Sequence, residues 1–140
     1  QENPRLFCGH TTVKFPVESD TLRAVVKLSP LSFALDEKGY VSTRVNVVNL
    51  GSAQILTIPG EALPNVGYYL KRKMHGEHNL LFGLTNDAFG YMMTKVDWKS
   101  FERYEYISRT CLGEMTADIF IEEALNFVDS CPRPETAAAR

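Results

Sequence analysis

From Ala117 to Val128 the apolar residues Ala117, Phe120, Ile121, Ala124, Leu125 and Val128 recur at helical intervals, with Asp118, Glu122, Glu123 and Asn126 between them. A helix gathers that spacing into a single stripe, so the pattern predicts an amphipathic helix, with Thr116 as its expected N-cap and Pro132 and Pro134 as its stop. A second helix is expected from Pro64 to Met74, where Val66, Tyr69, Leu70 and Lys73 share one face and Gly67 is the weak point. His75-Gly76-Glu77-His78 then reads as a connector, with Gly76 as a C-cap glycine.

The strands carry shorter signals. Ser42 to Leu50 and Gln54 to Ile58, joined around Gly51-Ser52, have the spacing of a hairpin. Leu22 to Leu28 reads as a strand, and Leu31, Phe33 and Leu35 alternate as a half-buried strand does, before turn chemistry at Asp36-Glu37-Lys38-Gly39. Asn79 to Leu84 is a short apolar run without alternation, which suits a central strand buried on both faces. The first twenty residues show no clear period and are expected to be irregular. Trp98 to Tyr106 reads as a helical turn or a long loop. Strands interleaved with two main helices give an α/β arrangement on a mixed sheet, with α+β as the alternative. The expected organisation is residues 1–131 as one α/β domain or the C-terminal part of a larger catalytic domain, and 132–140 as a flexible tail.

At 140 residues and 44% hydrophobic, the chain is long enough to bury a sizeable core. A net charge of −2 gives no electrostatic case for nucleic acid or an anionic membrane surface. The cluster Lys71-Arg72-Lys73 falls where the second helix ends and complements its dipole. No apolar run approaches the roughly 20 residues of a transmembrane helix. A start at Gln1 without a signal-like segment suggests a processed product or a fragment of something longer. Cys8, Cys111 and Cys131 form no CxxC pair. A helix between Cys111 and Cys131 separates them by roughly 20 Å, too far for a disulfide, which needs Cα atoms within about 7 Å.

Two segments carry candidate chemistry. Glu61 follows Ile58-Pro59-Gly60 at a strand end, as either a helix N-terminal acid or a ligand or general base. Tyr91 follows Gly90, where a phenol is either a core-edge residue or a site group. Asn86 and Thr94 are turn and cap residues or groups that orient a site. His75 and His78 have an H-x-x-H spacing but flank Gly76 in a charged connector, which reads as a solvated turn. There is no Gly-x-Ser-x-Gly, and Cys111 has no signature of an activated thiol. Arg103-Tyr104-Glu105 reads as a surface ion pair or a brace.

Pro59-Gly60-Glu61, Gly83-Leu84-Thr85-Asn86, Gly90-Tyr91-Met92-Met93-Thr94, Arg103-Tyr104-Glu105 and the loop from Thr110 to Thr116 occur in an order that resembles one family. It is the neutral/alkaline, non-lysosomal ceramidases, in the C-terminal part of their catalytic domain, with the uncharacterised bacterial branch the closer match. The resemblance runs from about Val45 to Val128. Ala62-Leu63-Pro64 and Ala88-Phe89 depart from the pattern of true ceramidases.

The resemblance implies that Glu61 binds a catalytic zinc, that Tyr91 completes its coordination, and that Asn86 and Thr94 line the substrate cleft. The zinc histidines and serine nucleophile of that family lie upstream, and nothing in Gln1 to Ile58 resembles them. It therefore implies no catalytic residue in this chain, a zinc shared with ligands outside it, and the upstream half of the same protein as partner. The implied activity is hydrolysis of the amide of an N-acyl amphiphile, incomplete in the isolated chain, with a secreted or periplasmic location. The alternative is a non-catalytic α/β module that binds a partner or an amphiphile.

Overall fold

The computed structural model describes residues 3–29 and 35–136. Strand β1 (Leu6–Pro16) leads into helix α1 (Asp20–Leu28), then β2 (Tyr40–Leu50), β3 (Ala53–Thr57), β4 (Glu61–Ala62), α2 (Pro64–Lys73), β5 (His78–Phe82) and β6 (Tyr91–Met92). A 3₁₀ turn (Glu102–Tyr104) precedes α3 (Glu105–Arg109) and α4 (Thr116–Ser130). The main sheet has the order β1-β2-β3-β5, and β4 and β6 form a separate two-stranded sheet. β1, β2 and β3 run antiparallel in turn, whereas β3 pairs with β5 in parallel. The sheet is therefore mixed, and the α/β expectation is met.

One face of the sheet makes the core. Val13, Phe15, Val41, Val45, Val47 and Leu56 point inward and are almost fully buried. Val66 and Leu70 of α2 and Ala117, Phe120, Ala124 and Val128 of α4 cover them. The apolar stripe of α4 is the one its spacing predicts. Gln54, fully buried on β3, keeps the core free of an unpaired amide: it donates to Asn49 Oδ1 (2.9 Å) and accepts from the His75 N–H (2.9 Å). Asn49 in turn donates to the Pro132 carbonyl (2.7 Å). His75 Nε2 meets Asp129 at 2.7 Å, so this connector residue bridges to α4 rather than standing free.

The opposite face is open. Cys8, Val48, Ile55 and Leu80 lie in register across all four strands, and none of them is buried. Beside them Leu6, Leu50 and Phe82 are half or more exposed. β5 is consequently an edge strand with alternating exposure, not the central strand expected over Asn79 to Leu84. Its apolar run is continuous because Leu81 meets the core while Leu80 and Phe82 meet this second face.

Several local readings change. The first twenty residues contain an eleven-residue strand, β1, whose inward set Phe7, Gly9, Thr11, Val13 and Phe15 is too mixed in polarity to show a period. Leu22 to Leu28 is helical, not a strand: the Ser19 hydroxyl accepts from the Leu22 N–H, Asp20 and Lys27 suit the two ends, and Val26 is buried. The expected strand over Leu31, Phe33 and Leu35 lies largely outside the described residues. Thr116 is the first residue of α4 rather than its cap, and its hydroxyl bonds back to the Gly113 carbonyl (2.7 Å). α2 closes at Met74, whose N–H reaches the Leu70 carbonyl, while the Gly76 N–H is taken by Asn79 Oδ1 (2.9 Å). Within the stretch expected as a tail, the Glu135 N–H bonds the Gly51 carbonyl (2.9 Å) and its carboxylate pairs with Arg5.

The three cysteines are free thiols. Burial pushes the Cys111 and Cys131 thiols above the usual range, whereas Cys8 is exposed on the open face. Since the thiolate is the reacting form, Cys8 is expected to react with an aromatic disulfide reagent at least about 100-fold faster than Cys111, with the rates converging in denaturant. A Cys111 that labels as fast as Cys8 in the folded protein would contradict this packing. Because the folded state holds these protons more tightly, their contribution to stability falls as pH rises past the free thiol value of about 8.5.

Candidate functional site

After β3 the chain changes partner. Ile58 still bonds to the β5 side, through its N–H to the Phe82 carbonyl (2.8 Å) and its carbonyl to the Thr85 N–H (3.1 Å). Three residues later the Glu61 N–H bonds the Gly90 carbonyl (2.9 Å), and β4 pairs in parallel with β6. The switch depends on two glycines. A Cβ on Gly60 would lie 2.5 Å from the Gly90 carbonyl oxygen, and one on Gly90, at φ +81°, would lie 1.9 Å from the Thr110 carbonyl oxygen. Neither approach is compatible with a side chain.

This close contact sets Glu61 directly across from Tyr91 in the β4–β6 register. In-register neighbours project to the same side of a sheet. The backbone thus sets side by side the two residues that the resemblance assigns to one zinc, on a small sheet of their own. Glu61 lies on β4, ahead of α2, so it is not an acid in the first turn of that helix. Its side chain is exposed and makes no hydrogen bond or ion pair among the described residues. Tyr91 is held on the other flank: its N–H bonds the Thr110 carbonyl (3.2 Å), the Cys111 thiol donates to its carbonyl, and its ring meets Tyr106 edge-on at 6.1 Å.

Asn86 and Thr94 stand apart from this pair. Asn86, at φ 72°, donates to the Arg44 carbonyl (2.8 Å) and to Asn46 Oδ1 (2.7 Å), which ties the 83–90 loop to β2. The Thr43 hydroxyl bonds Asp87 of the same loop. Thr94 donates to the Asp97 carboxylate (2.9 Å), which also accepts from Asn65 (2.6 Å), and it lines a different cavity with Tyr69, Asp118 and Glu122. His78 is exposed at the start of β5. Arg103 places its guanidinium over the Phe101 and Tyr104 rings, at 5.4 and 5.6 Å, as a surface brace.

Glu61 also lines a cavity of about 450 Å³ between β4, α2 and the end of β5. Ile58, Leu63, Leu81 and Leu84 make its apolar wall, and Gly67, Tyr68 and Lys71 enter from α2. Tyr68 and Lys71 were not evident as site residues. Their signal was the spacing of Pro64, Gly67, Tyr68 and Lys71, which defines a second face of α2 away from Val66 and Leu70.

Comparison with solved structures is consistent with this architecture. Neutral ceramidase from Pseudomonas aeruginosa superposes with a TM-score of 0.56 at 15% identity, over 97% of this chain and 30% of that chain. This chain has the fold of part of a neutral ceramidase. A second ceramidase structure, complexed with C2, matches with a TM-score of 0.50 at 18% identity, over 81% of this chain and 22% of its own. No protein-family model and no curated protein matches the chain. At these identities the likeness is one of fold, and the chain spans less than a third of either neighbour.

As a donor set, a carboxylate and a phenol on adjacent strands fit part of a zinc site, which takes about three protein ligands and usually includes His. Among the described residues no three His, Cys, Asp or Glu side chains lie together to complete one. Because Gly90 has no room for a Cβ, Gly90→Ala is expected to lower stability by roughly 2 kcal/mol or more through strain at positive φ and collision with Thr110. Chemical denaturation measures it. A change below about 0.5 kcal/mol would show that the close packing around Gly90 is not required.

Proposed function

We propose that this chain is the C-terminal part of the catalytic domain of a ceramidase-like, zinc-dependent amide hydrolase that acts on an N-acyl amphiphile. The observation that carries the reading is the in-register pairing of Glu61 with Tyr91 next to an apolar cavity. The ceramidase fold supports it. Glu61 and Tyr91 would hold one side of the zinc, and the remaining ligands and the nucleophile would come from the rest of the protein. Bound there, zinc would supply Lewis-acid polarisation of the amide carbonyl or an activated nucleophile.

This chain's own residues do the positioning. The Gly60–Gly90 contact fixes the spacing of the two donors, and the Cys111 and Thr110 bonds hold the Tyr91 backbone. Ile58, Leu81 and Leu84 offer apolar surface to the amphiphile. The amide is cleaved by one water to a fatty acid and an amine. A secreted or periplasmic location goes with this reading, and no helix among the described residues is long and apolar enough to cross a membrane. The same cavity also suits a module that binds an amphiphile without chemistry, and zinc stoichiometry separates the two.

In the whole protein, Glu61→Gln is expected to weaken zinc binding by more than the roughly 10–100-fold typical of an outer-shell partner. Metal analysis after dialysis against a graded chelator reads this out. Unchanged zinc content would remove Glu61 from the site, and absence of zinc in the wild type would favour the binding module. The 140-residue chain alone is expected not to hydrolyse a fluorogenic N-acyl amide. Turnover that survives both chelation and Glu61→Ala would place the chemistry elsewhere.

A further inference from the structure

The cavity beside Glu61 carries one charged group that the proposed chemistry does not use. Lys71 is on the cavity-facing side of α2, one turn beyond Tyr68 and Gly67. Its neighbour Lys73 lies over the Tyr69 ring (5.8 Å), but Lys71 has no carboxylate within ion-pair distance among the described residues. Glu61 lines the same cavity without pairing to it. Tyr68 is 65% exposed and Leu84 59%, so the wall combines an ammonium, a phenol and apolar carbons. Gly67 keeps the middle of this wall bare. A Cβ at that position would meet Leu81 at an ordinary 3.6 Å, so glycine is not forced by crowding even though it weakens the helix by about 1 kcal/mol relative to Ala.

We propose that this cavity selects N-acyl amphiphiles whose amine part carries a carboxylate, the anion resting on the Lys71 ammonium and the Tyr68 hydroxyl. The acyl carbons lie against Leu81 and Leu84. The inference rests on the proposed function for the amide's position near Glu61, and it adds the substrate class: acylated amino acids over neutral acyl amides. A charge-assisted contact of this kind discriminates by about ten-fold or more.

The test uses the 140-residue chain, ¹⁵N-labelled, titrated with N-lauroylglycine and N-lauroylethanolamine below their micelle concentrations. These share an acyl chain and an amide and differ in the carboxylate. The expected result is about ten-fold tighter binding of the glycine conjugate, with amide shifts at Gly60, Gly67 and Gly83, which line the cavity. Lys71→Gln should remove the preference, so that the two ligands bind with equal affinity. Gly67→Leu, a substitution favourable to the helix, should fill the cavity and abolish binding of both. Equal affinities, shifts elsewhere, or a preference that survives Lys71→Gln would overturn the proposal. Glu61→Gln separates the two readings: it should keep or strengthen the preference by removing a negative charge. Loss of the preference in Glu61→Gln would also overturn the proposal, whereas unchanged zinc in that variant counts only against the metal reading.

Discussion

The close approach of two glycines governs the site. Between β3 and β4 the chain must leave its pairing with β5 and take a new partner, and it does so within the span of Ile58 to Glu61. The crossing succeeds because Gly60 leaves room for the Gly90 carbonyl, and Gly90, at positive φ, leaves room for the Thr110 carbonyl. Everything at this edge depends on it: the register of Glu61 with Tyr91, the anchoring of Tyr91 to Thr110 and Cys111, and the mouth of the cavity that Glu61 shares with α2. The 83–90 loop is in turn held by Asn86 and Asp87 to β2, so the site geometry is referred back to the main sheet. Asn86 acts here by positioning a loop.

The sheet itself is built asymmetrically. Helices α2 and α4 cover one face with a core closed around the Gln54–Asn49 amides, whereas the other presents Cys8, Val48, Ile55 and Leu80 in a row. Parallel pairing such as that of β3 with β5 is normally found in sheets with both faces covered. An exposed apolar row beside a parallel edge strand accords with a chain that has the fold of part of a larger ceramidase structure.

How much of this the sequence showed depended on how each residue is used. α4 was legible because a helix with one buried face repeats its apolar residues at fixed intervals, and the β2–β3 hairpin because its strands are β-branched and its turn is short. That Glu61 and Tyr91 lie side by side was carried by the family resemblance alone, because the two-stranded sheet that pairs them has only two residues per strand and no pattern of its own. β1 was not, since its inward positions include Gly9 and Thr11 and erase the alternation. α1 was misread because Val25 and Val26 weigh toward a strand, although Ser19, Asp20 and Lys27 mark helix ends. β5 was placed centrally because an apolar run cannot distinguish a face covered by core from a face left open. For Lys71 and Tyr68 the spacing with Pro64 and Gly67 marks a face of α2 but not the strand end that meets it to form a cavity.

The most direct test of the central claim is a crystal structure of the whole protein with anomalous data collected at the zinc edge. The account predicts an anomalous peak within zinc–oxygen bonding distance, about 2.0–2.2 Å, of the Glu61 carboxylate, with the Tyr91 hydroxyl turned to the same ion. A zinc peak remote from both residues would contradict it.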